Sequence, residues 1–79
     1  MTNLEKYNKA FCEAFETTED QLVGIKYQGI ELWDSVGHMT LVANLEDTFD
    51  IMMDTNDIID LSSYEIGKEI LKSNYGIEL

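Results

Sequence analysis

The segment around Ser35 contains the residues whose types and spacing best suit chemistry. Ser35 lies three residues before His38, the only histidine of the chain. A hydrolase nucleophile elbow has the pattern Gly-x-Ser-x-Gly, and Gly37 supplies only its second glycine because Trp33 occupies the first position. Ser35 and His38 would share one helix, with no acid placed to orient the imidazole, so a catalytic triad is not expected.

Metal sites are not expected either. One cysteine and one histidine are too few ligands for zinc. A calcium loop that began at Asp54 would place Ile58 at its fifth position, which needs a ligand, and Ile59 at its sixth, which needs glycine. The sequence therefore predicts no metal centre, and leaves open only loose binding of divalent cations that relieves repulsion between the acids.

Length and charge narrow the classes of function. The chain has 79 residues, 16 acids, five lysines and no arginine, and its formal net charge is −11. A domain of this size buries only about 60% of its unfolded surface, so a large enclosed active site is not expected. Nucleic acid and anionic membranes would be repelled by the negative charge. Basic proteins are the natural partners.

The apolar residues predict a folded cytoplasmic monomer. Their share is 44%, which is high for a disordered acidic segment. No apolar run approaches the roughly 18 residues of a membrane span, and the first residues lack the features of a signal peptide, so we expect no membrane insertion. Cys12 lies in an apolar-periodic stretch and is expected to be a small buried thiol.

Helical spacing of apolar residues predicts a first helix over about residues 3–16, capped by Thr2 or Asn3. The periodicity then fails over 17–34, which indicates a long loop. Loops of this length are usually functional or held by their own side chains. The residues expected to fix this loop in the core are Leu22, Ile30 and Trp33.

Three further helices are predicted after the loop. The second covers about 35–50, with Ser35 as its N-cap, and a short third covers about 56–60. Ser62 and Glu65 have the spacing of a capping box, which starts a fourth helix that ends near residues 74–76. The fold class is thus all-α, a small four-helix bundle with one domain over 1–79. The residues expected on the inner face of the fourth helix are Ile66, Gly67, Ile70 and Leu71.

The centre of the chain resembles the acyl carrier protein family. In that family an Asp-Ser-Leu or Asp-Ser-Val element lies where a long loop meets the second of four helices, and its serine carries a 4′-phosphopantetheine arm. The resemblance extends over essentially the whole chain, including the short third helix and the capped last helix. The residues that carry it are Trp33-Asp34-Ser35-Val36-Gly37-His38-Met39, Leu41-Val42, Leu45-Glu46-Asp47 and Phe49-Asp50-Ile51.

The resemblance implies that Ser35 carries the arm. A separate phosphopantetheinyl transferase would take the arm from coenzyme A, and the terminal thiol would then hold an acyl group as a thioester for partner enzymes. The protein would be a carrier without catalytic residues of its own. A phosphodiester on Ser35 would also be favoured physically, because unpaired backbone N–H groups and the helix dipole attract negative charge at a helix N-terminus.

Three neighbours of Ser35 are candidate supporting residues. The resemblance implies that Asp34 helps the transferase, through a metal or a basic residue. Gly37 costs roughly 1 kcal/mol relative to alanine inside a helix, and we interpret it as room for the arm or the transferase, or as a tolerated first-turn glycine. His38 lies one turn after Ser35 and would either bond the phosphate or be a solvated surface residue.

Acidic residues from the second helix onward are expected to dock acyl-loading and acyl-transferring enzymes through basic patches on those enzymes. Apolar residues of the second helix would form the centre of that face, although at least part of the same apolar stripe must belong to the core. The predicted docking acids are Glu46, Asp47, Asp54 and Asp57. The predicted apolar docking residues are Val36, Met39 and Ala43.

The residues around Ser35 are compatible with carriers of more than one biosynthetic pathway. Gly37, His38, Thr40 and Asn44 occupy polar positions that are acidic in most carriers of fatty-acid synthesis, so the chain looks more like stand-alone carriers that serve surface saccharides or secondary metabolites. An aminoacyl or peptidyl carrier is the alternative within the family, although its members usually have small residues before the motif. An unmodified acidic interaction module is the alternative outside it.

Overall fold

The first helix begins at a capping box. The computed structural model describes residues 1–79, and α1 spans Asn3–Phe15. Thr2 Oγ1 accepts a hydrogen bond from the Glu5 backbone N–H at 3.1 Å, and the Glu5 carboxylate accepts one from the Thr2 N–H at 2.9 Å. The backbone bond lowers the pKa of Glu5. The helix ends at Glu16, which is left-handed with φ of 51°.

Three more helices complete the fold, and the predicted four-helix architecture is confirmed. They are α2 at Ser35–Phe49, the short α3 at Thr55–Asp60 and α4 at Tyr64–Tyr75. The long connection between α1 and α2 contains one 3₁₀ turn, Glu19–Gln21. The structure has no strand, and no helix has the length and apolarity to cross a membrane.

The N-cap predicted for α2 is wrong by one residue. Asp34, not Ser35, has extended backbone angles, and its Oδ1 accepts from the Gly37 N–H at 2.8 Å. A carboxylate is a stronger acceptor at a helix N-terminus than a hydroxyl. Ser35 is therefore the first helical residue of α2, and its hydroxyl is not used as the cap.

The capping box predicted for α4 is also wrong. Ser63 is the cap, and its Oγ accepts from the Ile66 N–H at 3.0 Å. Tyr27 N–H donates to the Ser62 carbonyl at 2.8 Å, and Tyr64 N–H donates to the Ile25 carbonyl at 3.1 Å. These two bonds hold residues 62–64 extended against the long loop, which moves the helix start one residue along the chain.

Aromatic side chains fill the centre of the bundle. Phe11 contacts four other rings, with centroids 4.8 to 5.9 Å away. Trp33 comes from the end of the long loop and stacks on Phe15 at 4.9 Å. Trp33 and Leu22 are buried as predicted, whereas Ile30 is half-buried against the core. The aromatic core is Tyr7, Phe11, Phe15, Trp33 and Tyr64.

Two predicted core positions differ in the structure. Ile66 is 43% exposed because the inner stripe of α4 runs through Tyr64, Gly67 and Leu71, and Ile66 lies beside that stripe. Cys12 is half-buried and packs against the core, and this burial raises the pKa of its thiol.

Gly67 allows α4 to lie directly against α1. A Cβ at this position would lie 2.1 Å from the Tyr7 hydroxyl oxygen. That hydroxyl is fixed, because Tyr7 is fully buried and donates to the Tyr64 carbonyl at 2.6 Å. The Tyr64 hydroxyl in turn donates to Asn8, so polar groups between the two helices are satisfied.

Gly67→Ala is expected to lower the free energy of unfolding by about 1–3 kcal/mol, the usual effect of overpacking a core. The cause is the Tyr7 hydroxyl, so the same change in a Tyr7→Phe background should have a smaller effect. Urea unfolding of the two single variants and the double variant measures this coupling. Ser73→Ala, an exposed change on the same helix, is the control. Strictly additive effects would contradict the predicted contact.

Candidate functional site

Ser35 is exposed at the first position of α2. The N–H groups of Gly37 and His38 donate to the Asp34 side chain and carbonyl, both at 2.8 Å. The N–H groups of Ser35 and Val36 have no acceptor within the protein. The hydroxyl therefore lies at a helix terminus with two unpaired donors beside it, an arrangement that favours a negatively charged group on Ser35.

A chain of hydrogen bonds fixes the turn of α2 that carries Ser35. The Trp33 indole N–H donates to His38 Nδ1 at 3.0 Å, and His38 Nε2 lies 2.7 Å from the Ile58 carbonyl oxygen. Because Nδ1 accepts, we assign the proton to Nε2, which donates to Ile58. Tyr27 packs edge-on against the imidazole, with ring centroids 5.4 Å apart. One side chain thus joins the end of the long loop, α2 and α3.

In the structure His38 joins the long loop to α3, which neither interpretation from the sequence, as a phosphate ligand or as a solvated surface residue, described. The imidazole is half-buried and bonded at both nitrogens, so the interpretation as a solvated surface residue is wrong. Neither nitrogen is free in this arrangement to bond a phosphate on Ser35. The signal was present in the sequence: a buried indole N–H needs an acceptor, and the only histidine follows Trp33 by five residues.

Close packing against the long loop explains why residue 37 is a glycine. A Cβ there would lie 1.8 Å from the Leu32 carbonyl oxygen, so the loop backbone occupies the space that a side chain needs. The expected reason, close approach of the arm or the transferase, is not required to explain this glycine. Gly37 instead lets the loop end pass close to the first turn of α2, where it orients Trp33 towards His38.

The predicted docking residues fall into two groups. Five are exposed, whereas the carboxylates of Glu46 and Asp57 are held within the fold. Glu46 accepts from the Met53 N–H at 2.8 Å, and Asp57 accepts from Asn74 Nδ2 and the Tyr75 hydroxyl, both at 2.7 Å. Partial burial and Asp57 raise the pKa of Tyr75. The exposed predicted residues are Val36, Met39, Ala43, Asp47 and Asp54.

Charge is distributed unevenly along the chain. Residues 27–67 contain nine of the 16 acids and none of the five lysines. This half includes α2 and α3, so the surface around Ser35 has no cationic side chain from its own segment. No three histidine, cysteine or carboxylate side chains meet as metal ligands. The nine acids are Glu31, Asp34, Glu46, Asp47, Asp50, Asp54, Asp57, Asp60 and Glu65.

An open groove of about 250 Å³ lies beside this turn, between α2, α3 and the long loop. Sequence reasoning did not identify it, because its walls come from three segments that are far apart in the chain. Four of its six lining residues are hydrophobic. The lining residues are Tyr27, His38, Ile58, Ile59, Leu61 and Ser62.

Comparison with known proteins adds no assignment. No family model, no curated protein and no solved structure matches the chain. The geometry of the site therefore carries the functional argument.

Gly37→Ala is expected to destabilise the protein even though alanine favours helix. The clash with the Leu32 carbonyl should outweigh the gain of roughly 1 kcal/mol in helix propensity, for a net loss of about 1–2 kcal/mol in the free energy of unfolding. Thr48→Ala, an exposed change on α2, provides the control. Chemical denaturation measures both variants, and a Gly37→Ala protein more stable than wild type would contradict the packing described here.

Proposed function

We propose that this protein is an acyl carrier protein whose Ser35 holds a 4′-phosphopantetheine arm. The observation that supports the proposal best is the position of Ser35: exposed, first in α2, next to two unpaired N–H groups and free of capping. A phosphodiester at this point gains favourable contacts without any change in the fold. The motif that resembles carrier proteins lies at the same residues.

The attachment step needs coenzyme A and a phosphopantetheinyl transferase. The Ser35 oxygen attacks the phosphorus nearer the pantetheine, the pyrophosphate P–O bond breaks, and 3′,5′-ADP leaves. The hydroxyl proton passes to a base of the transferase or to water. Ser35 supplies only the nucleophilic oxygen, and its position at the helix terminus supplies favourable surroundings for the new charge.

Asp34 fits an assisting role in that step. One of its carboxylate oxygens, Oδ1, caps α2 through the Gly37 N–H. The other oxygen, Oδ2, accepts no hydrogen bond from the protein, and the side chain is exposed. Oδ2 is therefore available to a cation or to a basic residue of the transferase. Asp34 thus orders the turn and presents a negative charge beside the attacking hydroxyl.

When the arm is attached, its thiol supplies thioester chemistry, and the protein presents the acyl group to other enzymes. The exposed residues of α2 suit this task. Val36 is 75% exposed and Met39 54% exposed, and acids without internal partners, Asp47 and Asp54, lie farther along the chain. An apolar centre surrounded by acidic residues favours basic partner proteins that associate and dissociate rapidly. We place this carrier in the cytoplasm, as a monomer, in a specialised acyl pathway.

Incubation with coenzyme A and a broad-specificity transferase is expected to add one phosphopantetheine mass to the wild type. Ser35→Ala should gain none, because it lacks the attacking oxygen. Ser73→Ala removes an exposed serine of α4 and should be modified like the wild type. Intact-mass spectrometry measures all three. A folded wild type that gains no mass would favour an unmodified acidic interaction module instead.

Reversing the charge of one predicted docking residue tests whether α2 forms the docking surface. Asp47→Lys places a cation among the acids of α2, and we expect kcat/KM of the transferase to fall by roughly 3- to 10-fold at low salt. Glu13→Lys makes the same charge change on the exposed side of α1 and should have little effect. Equal losses in both variants would indicate a response to net charge alone and would contradict a docking surface on α2.

A further inference from the structure

The imidazole of His38 is bonded at both nitrogens, and only one of the two bonds survives a second proton on the ring. Nε2 donates to the Ile58 carbonyl oxygen at 2.7 Å, and Nδ1 accepts from the Trp33 indole N–H at 3.0 Å. An imidazolium has a proton on each nitrogen and is a donor at both. Protonation at Nδ1 therefore keeps the bond to α3 and removes the acceptor of the Trp33 indole.

The Trp33 indole has no second acceptor inside the protein. Its side chain is fully buried, and the bond to His38 is the one that its N–H makes. The two ring planes are inclined by 17° and their centroids lie 6.3 Å apart, so the N–H points at the edge of the imidazole that carries Nδ1. A proton on Nδ1 would bring two donors together and leave the indole N–H buried without a partner, which is unfavourable.

No carboxylate bonds the imidazole. The long loop, α2 and α3 pack against it, but its nitrogens bond only Trp33 and Ile58. Tyr27 lies edge-on to the ring, and the Asp57 carboxylate accepts from two side chains of α4. A new proton on Nδ1 therefore finds no acceptor in place. The titratable side chains closest to the contact along these three elements are Lys26, Tyr27, Glu31, Asp34, Asp57 and Asp60.

The backbone bonds at the end of the long loop stay within the loop. The Gln28 N–H donates to the Trp33 carbonyl at 2.8 Å, and the Trp33 N–H donates to the Ile30 carbonyl at 3.2 Å. The hydrogen bond that joins this loop end to the side chains of α2 is the one between Trp33 and His38. Loss of that bond would leave residues 28–33 closed on themselves but able to shift against α2, which brings the indole N–H to water.

We propose that His38 is a pH-sensitive switch in this fold: protonation at Nδ1 releases the Trp33 indole and loosens the end of the long loop from α2, while the bond to α3 persists. The proton comes from solvent, and the new N–H is the only covalent bond that forms. Histidine is the side chain whose charge ordinarily changes between pH 5 and 8, and this chain has one. The switch needs no group on Ser35, so it goes beyond the proposed attachment and does not depend on it.

Hydrogen exchange of the Trp33 indole proton tests the switch on the unmodified, ¹⁵N-labelled protein. Trp33 is the only tryptophan, so the signal is unambiguous. Its protection factor, which is corrected for intrinsic exchange, should fall by about 10-fold or more between pH 7.5 and pH 5.5, because a buried donor without a partner favours local opening. The helical circular dichroism should stay constant. The indole shift and the ¹³Cε1 shift of the His38 ring should change with the same midpoint.

His38→Asn is the matched control. Its side-chain oxygen can accept from the indole, and the amide does not titrate. The variant retains all 16 acids, whose mutual repulsion also changes as the pH falls. Its indole protection factor should therefore be the same at the two pH values. Circular dichroism checks that the variant is folded, and the agreement of the two wild-type midpoints decides the question if it is not.

Three results would overturn the switch. An indole that keeps its protection at pH 5.5 overturns it, whether or not the ring has gained a proton. Different midpoints for the indole and the imidazole, or an equal loss of protection in wild type and folded His38→Asn, show that His38 is not the group responsible. A wild type that loses its helical signal together with indole protection unfolds as a whole, which excludes a local release of the loop.

Discussion

The structure around Ser35 depends on one hydrogen-bonded chain, from the Trp33 indole through His38 to the Ile58 carbonyl. Trp33 is fully buried, so its N–H must find an acceptor inside the protein. His38 supplies that acceptor and uses its other nitrogen to hold α3. The same imidazole therefore joins the end of the long loop, the start of α2 and the Ile58 carbonyl of α3, while Asp57 joins α3 to α4.

Close contacts elsewhere in the molecule accompany this chain of hydrogen bonds. Gly37 lets the loop backbone pass within contact of α2, and Gly67 lets α4 approach the Tyr7 side chain of the aromatic core. Acids that occupy internal bonds, Glu46 and Asp57, join neighbouring segments instead of facing partners. The proposed attachment at Ser35 would require from this chain only a fixed turn with an exposed hydroxyl.

Sequence periodicity was sufficient for α1, α2 and α4, because each has an apolar stripe of the right period and the loop lacks one. The short α3 was predicted instead from the turn-forming residues at its start and the apolar residues after them. Periodicity was insufficient for the caps, since Asp34 and Ser35 are both good capping residues and local spacing does not choose between them. The roles of Gly37 and His38 depend on Leu32 and Ile58, contacts between separate segments that no local pattern specifies. The candidate attachment residue itself was predicted from the motif together with the resemblance over the whole chain.

The measurement that tests the fixed turn most directly is a long-range ¹H–¹⁵N NMR spectrum of the His38 ring at neutral pH, recorded before and after modification of Ser35. The rate at which the Trp33 indole proton exchanges with solvent is measured on the same two samples. We predict a proton on Nε2, an unprotonated Nδ1 that accepts from the indole, and slow indole exchange in both forms. Averaged tautomers with rapid indole exchange would contradict the account, because the turn that presents Ser35 would then not be held by this chain.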